Sequence, residues 1–405
     1  MTKEEKIKET TEKWRVNKGR GTVVWPTRMG KSLLAIDIVR RFLNRNPDKT
    51  VVIGVPTQAL QYQWYNLTLD KGVYGKCRVY TYDYIIKNIY ECDLLIVDEI
   101  HKAVSDNNIN IFKIRFKYIL GLTATLERSD NKHIRISKIC PTVEEVSKEE
   151  AIKNGWINNY KEYKVIIDVP DIDIYQDHDA KFQKYFNFFN QDFELAMSSV
   201  KSKEVRRNIT NFKCCDPKLT DACTFGFNRE LKNRIEFIQT HPKKVELAKL
   251  ILRKRNKSKA IIFSPTIAIS RLFEGYYYNS DMKTKEKFKE LEDFKNSYYG
   301  VMSAVNGISL GVELNGCNLG IMLCNNSSFD AKEQKLGRLL SPRSDGIIPE
   351  AFTFVLKQTV EEAWFARSTK DNDYITVTES MLKRLLDGED ILEERIEGPV
   401  MLNHY

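Results

Sequence analysis

The chain has 405 residues, 42% of them hydrophobic and 11% aromatic, with only 19 glycines and 11 prolines. That length gives a prior of two to three domains with sizeable cores, and the composition excludes collagen-like, elastic and low-complexity chains. The net charge of +9 is uneven, with 25 Lys and Arg against 15 Asp and Glu in residues 1–140 and 17 against 6 in residues 201–259.

The charged start Met1-Thr2-Lys3-Glu4-Glu5-Lys6 is unlike a secretion signal. No apolar run approaches the roughly 18 to 20 residues that cross a bilayer. Both point to a soluble intracellular protein with no membrane partner. Thr22–Trp25 reads as the first buried strand. After it, Leu33, Leu34, Ile36, Ile38, Val39, Phe42 and Leu43 give a helix a wide apolar face. Val51–Val55, Cys92–Val97 and Tyr118–Leu122 are further strand candidates, and their alternation with helical patterns indicates a parallel α/β sheet.

Residues 175–258 lack strand signals and read as long helices. Phe182, Tyr185, Phe186, Phe188, Phe189, Phe193 and Leu195 form an aromatic packing face there. Cys214, Cys215 and Cys223 have no histidine at finger spacing, so ordinary reduced thiols are expected. A second strand series follows in Ala260–Phe263, Leu319–Leu323 and Phe352–Leu356. The expected organisation is a first α/β lobe over residues 1–140 and a second over 141–360. The second includes a helical insertion at about 175–258, and an acidic C-terminal appendage covers 361–405.

The segment Pro26-Thr27-Arg28-Met29-Gly30-Lys31-Ser32 joins the first strand to the first long helix. That order aims backbone N–H groups and a helix N-terminus at a phosphate. Lys31 has the reach for β- and γ-phosphates, and the Ser32 hydroxyl for a Mg²⁺ shell. Trp25 stands where the full P-loop pattern has its first glycine, so the tripeptide Gly30-Lys31-Ser32 needs a second element to support it. The strand Cys92–Val97 supplies one, running into Asp98-Glu99-Ile100-His101. Asp98 is placed to hold Mg²⁺, mainly through water, and Glu99 to polarise an attacking water. A helix cap is the competing account of this acidic pair.

With these two elements in place, the chain resembles the superfamily-2 DExH helicases and translocases, and the other motifs of that superfamily follow in order. Pro56-Thr57 with Leu60, Gln63 and Trp64 is similar to motif Ia, and Thr123-Ala124-Thr125 to motif III. Ile261-Ile262-Phe263-Ser264-Pro265-Thr266 is similar to motif IV, Gly311-Val312-Glu313-Leu314 to motif V, and Gln334 with Gly337-Arg338 to motif VI. The motif style is nearest to UvsW-type phage helicases and XPB-type DNA translocases. Thr359-Val360-Glu361-Glu362-Ala363-Trp364 resembles the segment after the last strand in Swi/Snf-type and phage helicases.

The resemblance implies two RecA-like lobes in tandem, ATP and Mg²⁺ as cofactors, and nucleic acid as partner, DNA rather than RNA. A phage origin, and with it a bacterial host cytoplasm, fits the compact length. It implies nucleotide binding by Thr27, Arg28, Met29, Gly30, Lys31, Ser32, Asp98, Glu99, Gly311 and Glu313. Arg338 becomes the arginine finger, and Gln334 and His101 couple the lobes. Thr57, Thr81 and Thr266 become backbone contacts, or else turn and cap residues. Charge adds Arg206, Arg207, Lys232 and Arg234 as phosphate contacts.

The chain departs from the family at four points. Glu313 replaces the usual Asp of motif V. Arg28 replaces a glycine and either touches phosphate or faces solvent, with solvent favoured. No glutamine precedes the loop within Met1–Lys13 to read adenine. Ser341 stands where motif VI has its second arginine, leaving Arg343 as a substitute. Rival readings are an RNA helicase of the same architecture, a weakly hydrolysing nucleic-acid-binding scaffold, and the motor of a restriction or packaging machine.

Overall fold

The computed structural model describes residues 1–126, 132–305, 314, 316–324, 332, 335–337, 346–369 and 374–391. Six strands form the first sheet: β1 (Arg20–Val24), β2 (Val51–Val55), β3 (Cys77–Thr81), β4 (Glu91–Asp98), β5 (Arg115–Thr123) and β6 (Thr142–Glu145), in the order β3-β2-β4-β5-β1-β6. Every pairing in it is parallel. β2 and the second half of β4 are buried on both faces, which is why they read as unbroken apolar runs.

Helices cover the sheet. α1 (Lys3–Val16) opens with a capping box between Thr2 and Glu5. α2 (Lys31–Arg45) buries Leu34, Ala35, Ile36, Ile38, Val39 and Leu43, the predicted apolar face, although Leu33 is exposed. α3 (Gln58–Asp70) and α4 (Tyr82–Asn88) follow β2 and β3.

The second sheet holds β7 (Lys161–Ile167), β8 (Lys259–Ser264), β9 (Tyr276–Tyr278), β10 (Gly300–Val305), β11 (Leu319–Met322), β12 (Glu350–Leu356) and β13 (Ile375–Thr378), in the order β13-β7-β12-β11-β8-β10-β9. The predicted helical insertion lies between β7 and β8 as the helices Ile172–Asn187, Phe193–Lys201, Lys203–Lys213, Pro217–Thr240 and Pro242–Lys254. Most of the predicted aromatic face packs into its core: Phe182 and Phe189 are buried together with Phe227, whose ring lies 5.2 Å from that of Phe182, whereas Phe193 is exposed. Lys244, also buried, donates to both Glu361 oxygens at 2.7 and 2.8 Å and to the Leu323 carbonyl at 3.1 Å. This pair ties the helix Pro242–Lys254 to the helix Val360–Thr369 inside the second unit.

Two boundaries differ from expectation. The chain divides into one unit of Met1–Lys161, Gly307–Leu319 and Asp330–Glu350, and another of Glu162–Asn306, Gly320–Phe329 and Ala351–Tyr405. The first unit passes residue 140 because β6 adds to the sheet beside β1. The expected appendage is in part a sheet element, since β13 pairs in parallel with β7. Among the described residues, no helix is long and apolar enough to cross a membrane.

Candidate nucleotide site

In the first sheet β5 lies between β1 and β4, so the segments leaving β1 and β4 are two strand spacings apart, roughly 10 Å. Ligands of open parallel sheets bind beyond such strand ends. The loop after β1 is held from both sides. The Trp25 N–H donates to the Thr123 carbonyl at 3.0 Å, and Lys3 Nζ donates to the Arg28 carbonyl at 2.9 Å. Arg28 has φ +69° and Gly30 φ +100°, and this left-handed turn opens α2 with Gly30 as its first cap.

Lys31 Nζ donates to the Trp25 and Pro26 carbonyls at 2.8 and 3.3 Å. Burial lowers its pKa, and the carboxylates of Glu99 and Asp98 act in the opposite direction. Thr27 Oγ1 is buried with no hydrogen-bond partner among the described residues. Arg28 does not face solvent. It is half-buried, and its Nε donates to the Gly337 carbonyl at 3.4 Å within the same unit.

Asp98 ends β4 and is buried. Its Oδ2 accepts from Trp64 Nε1 at 2.8 Å and its Oδ1 from the Glu99 N–H at 3.1 Å. The Tyr82 hydroxyl donates to the Asp98 carbonyl. Glu99 has φ +54°, a left-handed conformation that turns the chain sharply after the strand. The same turn packs Ile100 across β5, where Gly121 is required: a Cβ there would lie 2.5 Å from Ile100 Cδ1. Glu99 Oε2 is buried without a hydrogen bond and lies 3.4 Å from His101 Nδ1. His101 Nδ1 shares a 2.8 Å hydrogen bond with Thr123 Oγ1, linking the acidic loop to Thr123-Ala124-Thr125.

A buried polar atom without a partner is costly. Among the described residues Trp25 Nε1, Thr27 Oγ1 and Glu99 Oε2 are buried here without a hydrogen bond, beside a buried carboxylate, a lysine and the N-terminus of a 15-residue helix. The donors on the loop suit phosphate oxygens. The hydroxyls of Thr27 and Ser32 and the carboxylate of Asp98 suit a hard divalent cation. The residues present therefore fit a magnesium-bound nucleoside triphosphate.

Burial, and then repulsion from Glu99, pushes the Asp98 carboxyl up to about 6. An unfolded aspartate titrates near 3.9. Between these values the folded protein binds more protons than the unfolded one, so stability falls as pH rises through about 4 to 6. Asp98→Asn keeps an acceptor for Trp64 and should stabilise the ligand-free protein near neutral pH by up to about 3 kcal/mol, but hardly at all below pH ~4. Urea unfolding at both pH values checks this, and an equal effect at both would refute it.

The other predicted residues divide into groups. Thr57, Thr81 and Thr266 all cap helices, accepting from the N–H groups of Leu60, Tyr84 and Ile269. Arg207 and Lys232 are exposed on the insertion. Arg234 is not available as a phosphate contact: it is buried, 2.7 Å from Asp179 and 4.1 Å over the Phe182 ring. Arg206 is likewise committed, pairing with Asp221 at 2.9 Å and donating to the Ser199 carbonyl. Gly311, Glu313, Gln334, Arg338 and Arg343 lie outside the described residues. Sequence reasoning placed Trp64 only in motif Ia, without a contact to Asp98, and gave no role to Tyr82 or Lys3. A tryptophan in an apolar helix face was the one available signal, because a buried indole N–H needs an acceptor.

Residues 2–81 match the family model described as type III restriction enzyme, res subunit, and residues 242–342 match the helicase conserved C-terminal domain. The chain is 27% identical over 349 residues to the DNA 3'-5' translocase XPB2 of Sulfurisphaera tokodaii, spanning 79% of this chain and 74% of that one. Its fold is similar to the Hef helicase domain of Pyrococcus furiosus (TM-score 0.52, 14% identity, 90% of this chain and 97% of that one). It is also similar to S. cerevisiae Dbp5 bound to RNA and ADP BeF3 (TM-score 0.56, 11% identity, 91% and 89%).

Proposed function

We propose that this chain, which has the two-sheet fold and the ordered motifs of superfamily-2 helicases and translocases, is an ATP-driven motor on nucleic acid with DNA as its track. The observation that carries the reading is the cluster of Lys31, Asp98 and Glu99 beyond the ends of β1 and β4, with Thr27 Oγ1 and Glu99 Oε2 buried without a hydrogen bond. The preference for DNA is supported by the likeness to a DNA translocase over most of the chain, while the basic first 140 residues support a nucleic acid of either kind. That relative is an XPB2 translocase, so a phage UvsW-type motor in a bacterial cytoplasm is a narrower form of the reading that rests on motif style and size alone. The RNA alternative draws on the fold shared with an RNA-bound protein.

In this reading Lys31 and the N–H groups opening α2 bind the β- and γ-phosphates, with Thr27, Arg28, Met29 and Gly30 shaping the loop. Ser32 and Asp98 would hold Mg²⁺, which neutralises phosphate charge when bound. Glu99 orients a water and accepts its proton as the water oxygen bonds the γ-phosphorus and the bond to the departing ADP oxygen breaks. His101 and Thr123 pass the state of Glu99 to the segment after β5. Gly311, Glu313, Gln334, Arg338 and Arg343 complete the nucleotide contacts, and the exposed Arg207 and Lys232 touch the strand.

ATPase rates with single-stranded, duplex and forked DNA and with RNA, in matched salt, test the proposal. Stimulation by DNA well above that by RNA is the expected result. Stimulation by RNA alone would move the track to RNA, and turnover indifferent to every nucleic acid would overturn the motor itself.

A further inference from the structure

A cavity of about 600 Å³ opens at the far end of α2 from the phosphate loop. The 15 residues of α2 put roughly 22 Å between these ends, so the cavity is separate from the candidate nucleotide site. Trp14, Phe42 and Tyr118 form its apolar part, with the last two rings edge to face at 5.5 Å. Trp14 is fixed by its Nε1 donating to the Ile119 carbonyl at 2.9 Å.

Charge surrounds this aromatic floor. Glu12 lines the cavity but is paired with Arg15, and Arg41 is paired with Asp37 at 2.8 Å. Lys18, Arg45 and Lys117 also line it and are exposed, and no ion pair to a carboxylate is formed by them among the described residues, although Arg45 is near enough to Glu12 to lower its pKa and Lys117 lies 5.3 Å over the Tyr118 ring. Arg45 sits in the last turn of α2, where a cation offsets the helix dipole. That account does not extend to Lys18 or Lys117, which come from the turn after α1 and from β5. Lys18 moreover has φ +57°, a conformation in which glycine or asparagine is cheaper. A strained cation at a cavity rim suggests a use for the charge.

We propose that this cavity binds one nucleotide unit, the base on the aromatic floor and its phosphate against Lys18, Arg45 and Lys117. The volume is within the range of small-molecule sites. Aromatic rings with flanking cations are the chemistry that holds a base and its phosphate without reading sequence. The unit is either a free nucleotide or one residue of a single strand.

The test uses the full chain and calorimetric titration with thymidine 5'-monophosphate, with thymidine as the phosphate-free control. Wild type and Lys31→Ala should bind the monophosphate alike, and both should bind thymidine more weakly. The triple variant Lys18→Gly, Arg45→Ala, Lys117→Ala should lose about tenfold or more in affinity, as expected when charge-assisted contacts go. Its ATPase rate without nucleic acid should be unchanged. Lys18→Gly alone should raise the Tm by relieving the positive φ, yet weaken binding, whereas a purely structural lysine would give the Tm rise only. A parallel loss of affinity for a short oligothymidylate assigns the site to a strand, and a loss confined to the monophosphate assigns it to a free nucleotide. No binding by wild type, loss of binding in Lys31→Ala, or undiminished binding by the triple variant would each overturn the proposal.

Discussion

Glu99→Gln is expected to lower nucleic-acid-stimulated ATP turnover by about 10²- to 10⁴-fold, the usual worth of a positioned general base, while leaving ATP bound. The amide keeps the shape of a residue already held in a left-handed turn and beside His101. It removes only the basicity of Oε2, the oxygen that has no hydrogen bond in the unliganded protein. Lys31→Ala should abolish turnover by a different route. It deletes the ammonium that Trp25 and Pro26 carbonyls hold at the loop, so ATP affinity itself should fall. Equilibrium binding of a non-hydrolysable ATP analogue beside steady-state rates separates the two. Near wild-type turnover in either variant would show that the site lies elsewhere.

Arg338→Ala should cost about 10³- to 10⁵-fold in kcat, the range for an arginine finger, with much less change in ATP affinity. The asymmetry follows if the guanidinium meets charge that develops mainly in the transition state. Because Ser341 occupies the second arginine position of the motif, Arg343→Ala measures whether the finger has moved along the chain. A large kcat loss at Arg343 with none at Arg338 would reverse the assignment.

The buried strands were legible because two-sided burial leaves unbroken apolar runs, as in Val51–Val55. Strands of another kind escaped. β3, β9 and β13 are sheet edges of mixed polarity, and the interior strands β7 (Lys161–Ile167) and β10 (Gly300–Val305) are interrupted by polar residues, so none of them shows an unbroken apolar run. β6, Thr142-Val143-Glu144-Glu145, is the other edge of the first sheet and is mostly polar, so it escaped too, and with it the first boundary, which was set at 140 instead of Lys161.

In the site, the loop and the acidic pair were legible because each is contiguous in sequence. The contacts that orient them are not. Trp64 reaches Asp98 from 34 residues away and Lys3 reaches Arg28 from 25. Arg234 shows the converse limit: a count of basic residues does not reveal that Asp179 and Phe182 already claim one of them.

The bond from Trp64 to Asp98 gives the molecule an optical handle. Trp64 is one of five tryptophans and is 2% exposed, with its indole N–H on the carboxylate assigned to the magnesium shell. Any change in the charge of Asp98, by protonation or by a cation drawing on it, alters the field along that indole and so the energy of its emission. Loading of the site is thereby coupled to a chromophore on α3, the helix that Thr57 caps. The fluorophore needs no label, and it sits where the candidate nucleotide site adjoins the segment resembling the strand-contacting motif.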